Sequence, residues 1–277
     1  MSSEIINTFV FPIIRTDMIL PALRSLRANT PPNFKVIVVN QSDCDRHTAE
    51  NIYVLSDIHI ETKLNYGFAQ SANIGARLAT TEYVTICNDD VLFFWPGWWQ
   101  AIMDTFAKYD NALGVLPLSP KEPGWGYGED GYRMHATLEE CLADPEGTVE
   151  RMKAEWKGAV IDGAAMWCIT FKREPWVELG MFDERFFPGG GEDYCASARA
   201  YQAGYRILAS SYSWCWHHWG QSKDEPTGFD EALPNARPGW NKLSTIGFGD
   251  EGLWHPDVDC WGNNCTRTDP NVYRAPL

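Results

Sequence analysis

Residues 81–91 read TEYVTICNDDV, and the break inside that stretch decides the fold. Residues 83–87 are a short apolar, β-branched run of the kind that makes a buried strand. The run stops abruptly at Asn88-Asp89-Asp90. Two adjacent carboxylates at the end of a buried strand repel each other and lose hydration, so they need compensation, most simply from a divalent cation. The alternative is a polar turn in which Asn88 and Asp90 only cap the next helix. Open α/β sheets gather ligands at the carboxyl ends of their strands, where this triplet falls.

Toward the N-terminus, strand-like and helix-like runs alternate. Residues 5–11 read as a first strand, followed by Pro12 and the polar Arg15-Thr16-Asp17. Asp17 is placed to cap a helix to about residue 28, whose apolar stripe is Ile19, Leu20, Leu23 and Leu26. Pro21 falls in its first turn, where a missing N–H breaks no helical bond. Residues 35–39 form a second apolar strand ending in Asn40-Gln41-Ser42-Asp43. A weak helix at 46–54 leads to a strand at 58–61, and Asn65-Tyr66-Gly67-Phe68 opens a helix to about residue 79. Apolar strands alternating with helices predict an α/β domain with a mostly parallel sheet covered on both faces. No GxGxxG follows the first strand and no GxxxxGK[ST] occurs, which disfavours dinucleotide and P-loop sites.

Toward the C-terminus, a helix covers 98–108 and a strand 113–116. Residues 119–135 are rich in Gly, Pro and aromatics, and 138–156 read as a charged, solvated helical insert. A loop this long inside a domain is more often a lid or binding loop than an accident. A strand at 164–171 and a short helix near 175–179 precede Gly189-Gly190-Gly191-Glu192-Asp193, which places two acids at the start of a helix. The helix carries Arg199 and ends near Gly204. Residues 211–217 are the last clear strand, and beyond Gly220 periodicity fades. The predicted organisation is one domain at 1–222, divided into 1–117, an insert at 118–157 and a second part at 158–222, with an irregular extension at 223–277 packed on it.

Bulk properties narrow the function. A net charge of −14 argues against a general polyanion binder, although a local basic pocket still allows small anionic substrates. No run of eighteen apolar residues predicts a membrane span, and the start of the chain lacks the basic segment and cleavage site of a signal peptide. The eight cysteines include no CxxC pair, which predicts reduced thiols and a cytoplasmic protein. Cys260 and Cys265 are readable as a loop disulfide or part of a metal site. Most of the thirteen tryptophans are expected in the core or at its rim. Trp125, Trp240, Trp254 and Trp261 sit in Gly/Pro-rich sequence, where a ring can stack on a sugar or base.

Several of these segments resemble glycosyltransferase family 2, the GT-A fold. Residues 64–91, LNYGFAQSANIGARLATTEYVTICNDDV, are similar to its Asn-x-Gly-Phe…Asn-x-Gly…Ala…Asp-Asp stretch. Residues 180–207, GMFDERFFPGGGEDYCASARAYQAGYRI, are similar to its Gly-x-Phe-Asp-Glu…Glu-Asp…Arg…Ala-Gly-Tyr stretch, and WHHWGQS at 216–222 to its late His-containing strand end. The resemblance covers roughly residues 5–222. It implies transfer of a sugar from a nucleotide-sugar to an acceptor hydroxyl, with inversion at the anomeric carbon, in a nucleotide-sugar-binding half (1–117) and an acceptor half (158–222).

By the same resemblance, Asp90 holds Mn²⁺ or Mg²⁺ with help from His217 or His218. These alternate faces of a strand, so only one can point at the ion, and His217 is favoured. Asn88 meets the ribose and Asp89 lies in the donor site. Asp193 is the general base and Glu192 orients acceptor or donor. Pro12, Arg15, Asn40, Ser42 and Asp43 hold the nucleotide base, and Asn65, Gly67 and Asn73 contact the donor. Trp125, Trp167, Gly190 and Gly191 are assigned to the acceptor. The chain departs from the pattern at Asn88, which leaves one carboxylate fewer, at Asn40 where Asp is common, and at Cys195 where a further Asp often stands. The plain alternatives are helix caps for Glu192 and Asp193, a core or surface role for a strand histidine, and a helix-surface position for Asn73. A nucleotidyltransferase would carry a Gly-rich, Arg/Lys-bearing loop after the first strand, which FPIIRTD lacks. A carbohydrate-binding or inactive transferase-like protein would use the tryptophans without chemistry. The acceptor is left open among a glycan, a lipid-linked sugar, a protein, a small molecule and a modified nucleic-acid base, the last weighed against by charge. Its choice is assigned to the insert and the tail, because loops on a rigid scaffold carry specificity.

Overall fold

The computed structural model describes residues 4–62, 64–123, 132–158, 160–162, 166–187, 189 and 191–218. Its first half alternates strictly: β1 (Asn7–Ile13), α1 (Ile19–Asn29), β2 (Phe34–Asn40), α2 (Arg46–Leu55), β3 (Ile58–Glu61), α3 (Gly67–Leu78) and β4 (Tyr83–Cys87). The short β5 (Val91–Leu92) leads to α4 (Trp98–Lys108), β6 (Ala112–Leu118), β7 (Lys121–Pro123) and β8 (Tyr132–Met134). Then come α5 (Leu138–Ala143), α6 (Pro145–Trp156), β9 (Val160–Asp162), β10 (Cys168–Lys172) and α7 (Arg173–Glu178). The described chain closes with α8 (Glu192–Gln202), β11 (Arg206–Trp214) and β12 (Trp216–His217).

Among the described residues, eight strands form one sheet in the order β3-β2-β1-β4-β10-β6-β11-β9. All run the same way except β10 and β9, which pair antiparallel with their neighbours. The mostly parallel sheet expected from the apolar runs is therefore present, with β10 inserted between β4 and β6. The alternation of β1 sets the two helical layers. Phe9 meets Phe34, Phe93, Trp98 and Trp99 on one face, with ring centroids 5.1–6.2 Å apart. Val10 on the other face meets Gly75 of α3 so closely that a Cβ there would overlap its Cγ1. Polar groups inside the sheet are paired: Asn7 Nδ2 donates to Thr85 Oγ1 at 2.9 Å, and Thr85 meets Thr170 on β10 at 2.8 Å.

Four expectations need correction. Asp17 does not cap α1, which starts after Met18 with no side-chain cap; Asp17 is engaged by Arg15 at 2.9 Å instead. The helix expected at 138–156 is two helices, because Asp144 accepts from the Gly147 N–H and Pro145 restarts the chain at the first position of α6. Nor is that segment a solvated insert. Cys141, Thr148, Val149 and Met152 are buried, and Trp156 packs edge-on against Trp214 of β11. The charges occupy the outer faces and outnumber the inward stripe. The strand expected at 211–217 is broken: β11 shifts register between Ser210 and Trp214, and β12 leaves the main sheet to pair with β5.

No disulfide joins the described cysteines, Cys44, Cys87, Cys141, Cys168, Cys195 and Cys215. Among the described residues no helix is long and apolar enough to cross a membrane. Trp125, Gly190, Cys260, Cys265, Trp240, Trp254, Trp261 and the whole 223–277 extension lie outside the described residues.

Candidate active site

At the end of β4 the chain turns through Asn88-Asp89-Asp90 into β5. There a two-residue antiparallel ladder, Val91 opposite His217 and Leu92 opposite Trp216, brings β12 alongside. The His218 N–H donates to the Asp90 carbonyl at 3.1 Å, and the His217 N–H donates to Ser119 Oγ at 3.2 Å. With its backbone held this way, His217 directs Nε2 to within 3.0 Å of Asp90 Oδ1. His218 faces elsewhere, as strand alternation requires. Its Nε2 is buried without a hydrogen-bond partner among the described residues, and burial lowers its pKa.

The two carboxylates of the triplet are driven apart. Burial, then the charges of Asp90 and Asp17, push Asp89 up to about 7, against the pull of Arg15. Burial acts on Asp90 in the same direction, but the hydrogen bond and charge of His217, joined by the charge of His218 and a backbone hydrogen bond, hold Asp90 below the ordinary carboxylate value. The Arg15–Asp17 pair at the end of β1 therefore borders the triplet.

A second acid enters from α8. Gly191, at φ 95°, precedes the helix, and a Cβ there would lie 2.7 Å from the Phe186 ring. Glu192 is buried in the first turn, and Asp193 Oδ1 accepts from the Tyr194 N–H at 2.8 Å. The backbone of Met166 also hydrogen-bonds to the Asp193 carboxylate, yet burial still raises its pKa. One residue further, the Trp167 carbonyl accepts from the Asn88 N–H at 2.8 Å, and the Trp167 ring stacks on His217 at 4.8 Å and 14°. The Met166–Trp167 segment thus ties Asp193, Asn88 and His217 together.

Other expected site residues are engaged differently. Asn73 is 0% exposed, with both ends of its amide on Phe182, so it does not lie on a helix surface. Asn40 is turned inward, its Oδ1 accepting from the Ser42 N–H and hydroxyl at 3.0 and 3.1 Å. Asn65 Oδ1 accepts from the Gly67 N–H at 2.8 Å, forming the turn in which Gly67 takes φ 77°. Trp167 is 6% exposed with one face on His217. Pro12 is buried in β1 opposite Val39, Ser42 is half-buried, and Asp43 is exposed.

Asp90 and His217 suit a divalent ion. Two donors about 3 Å apart match adjacent positions about 2.1 Å from one octahedral ion, and such ions take few protein ligands, completing their shell from phosphates and water. Among the described residues no group of three His, Cys, Asp or Glu side chains gathers around a common point. Substrate oxygens would supply the rest. A cavity of about 430 Å³ beside α4, walled by Trp95, Tyr109, Lys153 and Tyr212, shares no residue with the acids and histidines above.

The profile of the family described as Glycosyl transferase family 2 matches residues 12–174, more than half of the chain. This chain belongs to glycosyltransferase family 2. The triplet lies inside the matched residues, whereas Asp193 and His217 lie beyond them. A Haemophilus influenzae protein described as an uncharacterized glycosyltransferase is 35% identical over 75 residues, covering 27% of this chain and 26% of that protein.

Solved structures share the GT-A fold of this family 2 chain. GalNAc-T7 with UDP, GalNAc and Mn²⁺ aligns with a TM-score of 0.57 and 17% identity, over 78% of this chain and 44% of that one. Mannosyltransferase PcManGT from Pyrobaculum calidifontis, in complex with GDP-Man and Mn²⁺, aligns at 0.55 and 20%, over 78% and 57%. S. aureus TarS 1–349 aligns at 0.53 and 14%, over 76% and 60%. The chain thus spans about a quarter of the curated relative and about half of the solved ones.

Sequence reasoning missed three parts of this family 2 site. Ser119 holds the His217 backbone, the Lys121 Nζ donates to the His218 carbonyl at 2.6 Å, and Met166 holds Asp193. Ser119 and Lys121 do open the Gly/Pro/aromatic stretch that the sequence marks as a binding loop. Met166 acts through its backbone, which carries no side-chain signal.

Proposed function

We propose that this chain transfers a sugar from a nucleoside-diphosphate sugar to an acceptor hydroxyl, with inversion, using Asp90 and His217 to hold a divalent ion and Asp193 as the base. The observation that carries this reading is the 3.0 Å approach of His217 Nε2 to Asp90 Oδ1 at the carboxyl end of β4. Family membership and the shared fold support nucleotide-sugar chemistry, and the two best-aligned structures named above contain a nucleotide and Mn²⁺. Mn²⁺ or Mg²⁺ bound there would stabilise the leaving diphosphate as a Lewis acid.

The chain's own groups supply the rest. An acidic protein repels a diphosphate, so Arg15 beside Asp89 is the local positive charge at the end of β1. Asn88 offers a neutral amide to ribose hydroxyls. Asp193, raised above the ordinary carboxylate range by burial, is a better proton acceptor than a solvated acid and takes the proton of the attacking hydroxyl. Glu192 beside it orients the acceptor.

The test is thermal stability against a panel of nucleoside diphosphates and nucleotide-sugars, with and without Mn²⁺. A ligand that binds the folded state raises the melting point. A metal-dependent rise with one nucleotide, lost in Asp90→Ala, is the expected result. No rise with any nucleotide in either condition would leave a carbohydrate-binding or inactive protein.

A further inference from the structure

His217 is fixed at its backbone by the ladder to Val91 and by Ser119. What remains is rotation of its imidazole, and that rotation decides whether Nε2 or a ring carbon faces Asp90. The contact with Asp90 engages one ring atom and does not by itself define a plane. The Trp167 indole does, lying nearly parallel at 14° with centroids 4.8 Å apart. Both rings are almost fully buried. Trp167 is in turn anchored to β4, since its carbonyl accepts from the Asn88 N–H and the next residue, Cys168, pairs with Cys87.

We infer that Trp167 is a positioning residue whose indole fixes the plane of the His217 imidazole and keeps Nε2 directed at Asp90. The inference rests on the reading of Asp90 and His217 as holders of a divalent ion. Its physical content does not need the ion: the ring is pre-set before anything binds. Partners of this kind, which orient a ligating histidine without touching the metal, typically change metal affinity by about 10- to 100-fold when removed.

The experiment compares wild type, Trp167→Phe, which keeps a flat ring, and Trp167→Leu, which keeps bulk without one. In metal-free protein, ¹H–¹⁵N spectra of the histidine side chains report the tautomer of His217, and its ring protons report the indole through ring-current shifts. A single tautomer and a clear ring-current shift are expected in wild type. Trp167→Leu should average the tautomers, and Trp167→Phe should restore one. Mn²⁺ is then titrated with a nucleoside diphosphate present, and free ion is followed by electron paramagnetic resonance. Affinity should fall by about 10-fold or more in Trp167→Leu and recover most of that loss in Trp167→Phe. A folded Trp167→Leu with unchanged His217 signals would overturn the inference. If Trp167→Leu does not fold, absence of the ring-current shift in wild type overturns it just as directly. Wild-type protein that binds no Mn²⁺ with any nucleotide refutes the metal reading, while the metal-free spectra still decide the role of Trp167.

Discussion

Asn73 and Phe182 hold each other by both polar ends, 109 positions apart in the chain: Nδ2 donates to the Phe182 carbonyl at 2.8 Å, and the Phe182 N–H donates back to Oδ1 at 3.2 Å. The same Nδ2 reaches Glu184 at 3.1 Å, and Glu184 also pairs with Arg77. One amide on α3 therefore fixes the segment that leads to the acids of α8. Arg199 fixes the other side of it by donating to the carbonyls of Leu179 and Met181.

Asn73→Ala would leave a buried N–H and a buried carbonyl unmatched, at about 1–3 kcal/mol for each. A loss of about 2–6 kcal/mol in chemical denaturation is expected. Asn73→Asp keeps the acceptor but sets a buried carboxylate oxygen against the Phe182 carbonyl and Glu184, so it should lose at least as much. A variant within about 0.5 kcal/mol of wild type would mean that water takes the place of the amide.

Asp193→Asn keeps the shape of the α8 start and removes the proposed proton acceptor. Turnover should fall by about 10²–10⁴-fold with donor binding unchanged. Because burial raises Asp193 from its ordinary value of 3.8, the acid limb of wild-type turnover should lie above that value, with activity rising as pH rises through the shifted pKa. Unchanged turnover in the variant assigns the base elsewhere.

Gly191 and Gly204 both take positive φ, at 95° and 85°, but only Gly191 has the Phe186 ring where a Cβ would go. Gly204→Ala should cost about 1–2 kcal/mol of backbone strain and leave turnover intact. Gly191→Ala carries that strain plus the clash, so it should be less stable and lose turnover through displacement of Glu192 and Asp193. Equal melting curves for the two variants would deny the contact.

Acidification should bring opposing contributions to stability. Asp89, pushed up to about 7, and Asp193 favour the folded state as pH falls. His59 and two exposed carboxylates oppose it in two stages. Burial lowers the pKa of His59 from 6.5, so the unfolded chain binds its proton more readily than the folded one. This contribution is complete above about pH 6.5 and is lost as pH falls through the lower folded pKa; His59→Gln should remove that stage. Hydrogen bonds from Thr48 to Asp45 and from Thr137 to Glu140 lower these carboxylates in the same sense. Their contributions are present above the ordinary values of 3.8 and 4.5 and disappear below them. Denaturant midpoints measured across pH in wild type and His59→Gln separate the stages.

Much of the first half was legible because each buried strand is a continuous apolar run and each strand end turns polar at once. The runs at 83–87 and 98–108 coincide with β4 and α4. Legibility failed where a competing side chain, a backbone bond or a partner far along the chain decides the outcome. Asp17 has the chemistry of a helix cap, yet the nearby Arg15 engages it. The 138–156 segment counts as charged, but what matters is the narrow stripe through Cys141, Val149 and Met152. Asn40, Asn65 and Asn73 look like ligand amides and turn out to bond main-chain groups. Among the candidate site residues, the placement of Asp90 was readable from its strand. The role of Trp167 depends on a ring that arrives fifty positions later in the chain.

That late arrival bears on how the protein is made. Asp90 waits for His217, 127 positions onward, and the two meet through a ladder of only two residue pairs. During synthesis, strands β1 to β4 emerge with the means to pair and fold long before β12 leaves the ribosome. A nascent chain stopped short of residue 216 would carry the acidic triplet without its histidine, two carboxylates with no imidazole to balance them. The Asp90–His217 contact is therefore made only when the last described strand is in place.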